Sequence, residues 1–170
     1  MTLRFGILTA SDRSSRGERP DLSGPALEQL VIAKGWTVVQ KSIVPDDQET
    51  ISQTLCAWAD AGGVDVILTT GGTGFTSRDI TPEATSLVID RPAPGLAEAM
   101  RQESRKLTPH AMLSRAVCGM RGRVLIINLP GSPKAAVENL QVVAPILTHA
   151  VELMNDEPGA EGHHQPLATF

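Results

Sequence analysis

Compact apolar runs recur along the chain, and most are followed by a polar turn and then by apolar residues spaced three or four apart. Leu3 to Thr9 (LRFGILT) reads as a short buried strand running into the Gly/Pro-punctuated loop ASDRSSRGERPD. From Pro25 to Lys34, Ala26, Leu27, Leu30 and Val31 share one helical face, with Pro25 suited to a first turn and Gly35 to a stop. Trp36 to Val44 is β-branched and partly alternating, a second strand that closes on PDDQ. Gln48 to Ala61 carries Ile51, Leu55 and Trp58 on one side, a second helix ending at Gly62-Gly63. Val64 to Thr70 (VDVILTT) is almost continuously apolar, which suits a strand buried on both faces.

Beyond Gly71 to Gly74, Pro82 to Val88 and Leu96 to Leu107 read as helices, and Ala111 to Cys118 as a weaker strand or hairpin. Arg123 to Asn128 (RVLIIN) is another buried strand, running into LPGSPK. There Ser132 can cap, and Pro133 begin, a last helix reaching about Met154. Pro145 lies inside that helix and is expected to kink or break it. One domain over residues 1–154 is expected, with a polar, Pro/Gly-rich tail over 155–170 expected to be disordered. Strands alternating with helices predict an α/β fold: a three-layer sandwich with a mostly parallel sheet between helices.

In such sheets ligands sit outside the carboxyl ends of the strands. That rule gathers Ser11-Asp12, Pro45-Asp46-Asp47, Gly71 to Asp79 and Leu129 to Lys134 onto one edge. Glycines directly after a buried strand let backbone N–H groups approach an anion. The turn is no Walker A loop, because Phe75 and Thr76 follow Gly74 where a lysine is required; it is no dinucleotide fingerprint, because Ser77 replaces the third glycine. An NAD-dependent oxidoreductase is correspondingly disfavoured. Asp79 close behind, with Asp46 on a neighbouring loop, would suit Mg²⁺ shared with phosphate oxygens. Two plainer readings of Asp79 stand beside that one: a cap for the helix near Pro82, or a partner for Arg78.

Composition narrows the classes. Fifteen Lys and Arg against nineteen Asp and Glu leave a net charge of −4, so no overall positive field awaits nucleic acid. Three Phe and two Trp are too few for a base-stacking platform. Cys56 and Cys118 have no CxxC spacing and read as isolated thiols. His110 and His149 lack acid or cysteine partners at ligand spacing, and His163 and His164 fall in the tail. The first residues lack a signal peptide, and no apolar run approaches the ~20 residues of a membrane span, so a cytoplasmic protein without membrane contact is expected.

TTGGTGFTSRDITPEAT and NLPGSPKA, in that order, resemble the MogA/MoaB family of molybdenum-cofactor biosynthesis proteins, shared with the G domains of gephyrin and its plant counterpart. The likeness extends from GILTASDRSSRG through VPDDQETISQTL to the last helix. SDRSSRG and QTLC look most like the MogA type, whereas a last helix that follows LPGSPKA directly is closer to MoaB. The resemblance implies Mg²⁺-dependent transfer of AMP from ATP to molybdopterin with release of pyrophosphate. It also implies handover to a downstream molybdenum insertase and a homotrimer, sometimes paired into a hexamer. A non-catalytic pterin-binding or scaffold member is the alternative. Residue by residue, it makes Asp46 and Asp79 the catalytic and metal-holding acids, and Thr70, Gly71, Gly72, Thr73 and Gly74 the donors to phosphate or pterin. Pro130, Gly131, Ser132 and Lys134 would bind the anionic end of the ligand, Ser11 and Asp12 would border the nucleotide, and Ser114 with Arg115 would contact pterin or phosphate. Plainer roles remain for three of these: an Asx turn for Asp12, an N-cap for Ser132, and a solvated first-turn position for Lys134.

Overall fold

The computed structural model describes residues 1–156; the expected tail lies outside that range except for Asn155 and Asp156, and Asn155 closes the last helix. In chain order the elements are β1 (Arg4–Ala10), α1 (Asp12–Ser15), α2 (Ser23–Ala33), β2 (Thr37–Val44), α3 (Gln48–Asp60), β3 (Val66–Thr70) and α4 (Thr81–Ser86). They continue with β4 (Arg91–Pro92), α5 (Pro94–Leu107), a 3₁₀ turn (Pro109–Leu113), β5 (Cys118–Arg121), β6 (Val124–Leu129) and α6 (Pro133–Met154). The six strands form one sheet in the order β2-β1-β3-β6-β5-β4. β2, β1, β3 and β6 run parallel, while β5 and β4 close the far edge antiparallel. The mostly parallel three-layer α/β prediction is met.

The period-two alternation of each strand decides which helices cover which face. Phe5, Ile7, Val66, Leu68, Leu125 and Ile127 turn to one side, beneath α2, α5 and α6. Leu8, Ala10, Ile67 and Ile126 turn to the other, beneath α3 and α4. β3 is buried along its whole length and β6 likewise, which is why both are dominated by Val, Ile and Leu, while their polar members Thr69, Thr70 and Asn128 are hydrogen-bonded. β2, at the edge, alternates between exposed and half-buried positions. No helix among the described residues is long and apolar enough to cross a membrane.

Two expectations fail. α6 passes Pro145 as one uninterrupted helix. Proline removes the N–H that would bond the carbonyl four residues back, but Gln141 and Pro145 both face solvent, where water can satisfy that carbonyl. Residues 111–118 are not a strand or hairpin either. After the 3₁₀ turn the chain is extended only to make tertiary hydrogen bonds: Arg115 N donates to Thr73 O at 2.9 Å, and Val117 N donates to Asn128 Oδ1 at 3.1 Å. Pairing in the sheet begins only at Cys118, against Ile127.

Chain direction makes the site. From β1 the chain steps outward to β2, then crosses back to β3 on the other side of β1. The carboxyl ends of β1 and β3 therefore flank the point where strand order reverses, and a crevice opens there.

Candidate active site

Loops at the carboxyl ends of β1, β2, β3 and β6 line a cleft of about 670 Å³. Ser11, Asp12, Asp46, Thr70, Gly71, Gly72, Asp79, Gly131 and Ser132 all face it. Gly71 and Gly72 adopt φ of +99° and +64°, a region costly for residues with a Cβ. A side chain at 71 would also strike the Ala10 carbonyl, and one at 72 the hydroxyl of buried Thr81. The loop is tied down from below: Gly71 N donates to Leu129 O at 3.2 Å, and Thr70 Oγ1 donates to Pro130 O at 2.8 Å.

Asp12 and Asp46 clasp each other reciprocally. Asp12 N donates to Asp46 Oδ2 at 2.9 Å, and Asp46 N donates to Asp12 Oδ1 at 3.0 Å. Arg78 reaches across to make a bidentate pair with Asp12, both N–H···O distances being 2.9 Å. Asp12 is thus part of an inter-loop brace rather than a local Asx turn, and Arg78 pairs with Asp12 rather than with Asp79. Asp79 does not cap α4; its Oδ2 accepts from Thr76 N at 2.8 Å and from Thr76 Oγ1 at 2.7 Å.

Asp46 and Asp79 each keep Oδ1 without a hydrogen bond among the described residues. Those oxygens lie beside the glycines: a Cβ built on Gly72 would sit 3.3 Å from Asp46 Oδ1, and one on Gly74 would sit 3.9 Å from Asp79 Oδ1. Burial pushes the Asp46 carboxyl above the ordinary aspartate range against the hydrogen bond from Asp12 N, and the nearby charges of Asp12 and Asp79 add to the rise. Asp12 goes the other way. Partial burial raises it, but the hydrogen bonds from Arg78 and from Asp46 N leave it lower than usual. Among the described residues no group of three or more His, Cys, Asp or Glu is placed to hold a metal ion; Asp46 Oδ1 and Asp79 Oδ1 are hard oxygens of the kind that Mg²⁺ favours.

The glycine loop has a second side. Thr73, Gly74, Ser114 and Pro130 line a smaller cavity of about 280 Å³ together with Leu113, Asn139 and others from α5, the 3₁₀ turn and α6. Asn139 donates to Ser104 Oγ at 3.1 Å and to Ala135 O at 2.8 Å, so its amide is held firmly in that wall. The predicted site residues are accordingly divided between two clefts that meet along the glycine loop and the 130–134 turn. Ser132 is the N-cap of α6, accepting from Ala135 N at 3.5 Å. Lys134 lines neither cleft; its side chain is 85% exposed, with Nζ 3.8 Å from Glu138.

Other residues of the site carry no motif that announces them. Arg13, Arg16 and Arg19 of the loop after β1 line the larger cleft. Arg16 pairs with Glu18, whereas Arg13 and Arg19 make no ion pair among the described residues. Asn128, fully buried, donates to Thr69 Oγ1 at 2.9 Å and Thr85 Oγ1 at 2.8 Å, pinning β3, β6 and α4 beneath the loop. The three arginines in SDRSSRGER were the available signal.

Known proteins fit this geometry. A family described as "Probable molybdopterin binding domain" matches residues 6–149. The molybdopterin adenylyltransferase of Helicobacter pylori is 42% identical over 90% of this chain and 88% of its own length. The molybdenum cofactor synthesis protein cinnamon of Drosophila melanogaster is 45% identical over 92% of this chain, which spans only 26% of that longer protein. A crystal structure of the molybdopterin biosynthesis enzyme MoaB from Thermus thermophilus superposes with a TM-score of 0.87 at 49% identity, covering 92% of this chain and 99% of that one. Fold and sequence agree: the chain belongs to the molybdopterin-binding domain family of molybdenum-cofactor biosynthesis proteins.

Proposed function

We propose that the chain is a molybdopterin adenylyltransferase, transferring AMP from ATP to the terminal phosphate of molybdopterin with Mg²⁺ and releasing pyrophosphate. One observation carries the reading: Asp46 and Asp79 bring to the same glycine turn two carboxylate oxygens with no hydrogen bond among the described residues, in a cleft that also holds Arg13 and Arg19, which make no ion pair among them. Four acids and four arginines line that cleft, a surface suited to a metal-bound triphosphate and poorly suited to an apolar ligand. The smaller cavity offers Leu113, Ser114, Pro130 and Asn139, an apolar floor with polar edges, which suits a flat heterocycle such as the pterin. A phosphate arm crossing Thr73–Gly74 would then meet the nucleotide.

The attacking phosphate oxygen is already anionic, so no side chain needs to remove a proton. It bonds to the α-phosphorus of ATP, the bond from that phosphorus to the α–β bridging oxygen breaks, and pyrophosphate leaves. Positioning and charge stabilisation are therefore the protein's main work. Mg²⁺, when bound, would neutralise phosphate charge, and Asp46 Oδ1 with Asp79 Oδ1 would hold it while water and phosphates complete its shell. Gly71 N is taken by Leu129 O, so Gly72, Thr73 and Gly74 would offer backbone N–H groups to the phosphates. At the N-terminus of α6, where Pro133 has no N–H and Ala135 N serves the Ser132 cap, Lys134 N adds one more. Arg13 and Arg19 would draw the departing pyrophosphate. Ser11 borders the nucleotide, and Asp12 contributes by holding Asp46.

Incubation with molybdopterin, labelled ATP and Mg²⁺ tests the proposal, the expected product being adenylylated molybdopterin with one pyrophosphate. Binding of both ligands without pyrophosphate would instead identify a non-catalytic, MoaB-like pterin binder. The same reading makes the protein a cytoplasmic homotrimer, or a trimer paired into a hexamer, that passes its product to a molybdenum insertase. Sedimentation at several concentrations measures that assembly.

A further inference from the structure

The turn from Gly74 to Asp79 carries the acid on which that reading depends, and its middle is exposed: Phe75 is 68% accessible. Its internal bonds, Asp79 N to Thr76 O and Thr76 to Asp79 Oδ2, shape the turn but do not attach it to the fold. Two arginines do. Arg78 makes the solvent-facing pair with Asp12 already described, with its own side chain 62% exposed. Arg115 comes from the opposite side, on the extended segment after the 3₁₀ turn.

Arg115 grips both ends of the turn. Its Nε donates to Gly74 O at 2.7 Å, and its Nη2 donates to Asp79 O. The same guanidinium pairs with Glu83, in the first turn of α4, through Nη1 to Oε1 and Nη2 to Oε2. Its backbone N holds Thr73 O, so a single residue contacts the turn before, at and beyond its ends. Four of the five N–H groups of the guanidinium are engaged in this way, and Arg115 lines neither cleft. Charge agrees with geometry: hydrogen bonding from Arg115 holds the Glu83 carboxyl below its usual range, outweighing partial burial.

We propose that Arg115 is a positioning residue: it closes the 74–79 turn against α4, so that Asp79 keeps its carboxylate in the larger cleft, and it does not itself touch substrate. This replaces the pterin or phosphate contact that the family resemblance suggests for Arg115. The planar fork is what the job needs, because Gly74 O, Asp79 O and Glu83 lie in different directions around one group. A lysine would keep the charge and the pair with Glu83 but could not span the two carbonyls.

The catalytic arm of the test rests on the adenylyltransferase reading; the structural arm does not. In Arg115→Lys, amide exchange followed by NMR should quicken about tenfold or more at Thr76 and Asp79, as expected for loss of charge-assisted hydrogen bonds. Amides of β3 and β6 should keep their protection. With ATP and molybdopterin, kcat should fall about a hundredfold, the scale of a misplacement of about 1 Å, while KM for ATP stays within about threefold. Wild-type exchange at Thr76 and Asp79 would overturn the proposal, and so would equal acceleration throughout the sheet, which is the signature of general destabilisation. Wild-type kcat in the variant would overturn it as well. Should the unmodified protein transfer no AMP, the adenylyltransferase reading falls, and the exchange measurement still decides whether Arg115 orders the turn.

Discussion

The two clefts that meet on the glycine loop share a wall and differ in nearly everything else. The larger lies at the strand-order reversal and is lined by Asp12, Asp21, Asp46 and Asp79 against Arg13, Arg16, Arg19 and Arg78. The smaller lies under α5 and α6 and exposes mainly apolar surface, with Ser104, Ser114 and Asn139 among its polar groups and a single pair of charged residues, Arg101 and Glu138, in its lining. A four-residue turn with little side-chain bulk can present its backbone to both at once; a bulkier turn would fill one of them. The comparison teaches that a strongly charged and a mainly apolar surface are separated in space, so on the proposed function each could be damaged without the other.

The sharpest way to break the contrast is at the acids. Asp79→Asn or Asp46→Ala should lower AMP transfer by at least about 10³-fold, as expected on removing a main electrostatic support of phosphoryl transfer, while calorimetry finds pterin binding largely intact. Loss of pterin affinity in step with activity would show that the clefts are not independent. Next in size is Gly71→Ala. A Cβ at φ +99° against the Ala10 carbonyl should cost about 1–3 kcal/mol in chemical denaturation. Ser114→Ala should weaken pterin binding by about 1 kcal/mol, one hydrogen bond, and leave ATP affinity unchanged.

Titration sharpens the electrostatic side. Because the Asp46 carboxyl is raised, a proton competes with a cation there, and Mg²⁺ affinity should climb as pH rises through the Asp46 titration, above the ordinary aspartate range. The stability linkage has the opposite sign. A carboxyl raised in the fold adds stability below its unfolded value, and that contribution is lost as pH rises through the folded one. In Asp79→Asn a neighbouring negative charge disappears, so carboxyl-carbon NMR should find Asp46 titrating at lower pH. The smallest effect is expected at Lys134→Ala. With an 85% exposed side chain and only a 3.8 Å approach to Glu138, it should change stability by less than about 0.5 kcal/mol and activity little.

Much of this was legible beforehand, and the reasons are local. β3 and β6 declare themselves because a strand covered on both faces must be largely apolar. Ser132-Pro133 announces α6 because a cap and a first-turn proline act within a few residues of each other. The stretch 111–118 misleads for the converse reason: its extended backbone answers to Thr73 and Asn128, partners distant in sequence. Pro145 misleads because its cost depends on whether the carbonyl of Gln141 meets water, which is a matter of burial. Asn128 reads as the end of an apolar strand and proves to be the buried junction of Thr69, Thr85 and Val117.

By itself the sequence determined most of the helices and strands, the place of the glycine turn and the inventory of acids, since propensity, capping and periodicity act over a few residues. Only the tertiary structure decided that Asp12 and Asp46 would clasp, that Arg78 would take Asp12 rather than its neighbour Asp79, and that Arg115 would fasten the turn. Those choices depend on distances between groups dozens of residues apart. A carboxylate or guanidinium takes whichever partner the packed sheet brings within about 3 Å, and that is set by strand order and crossover.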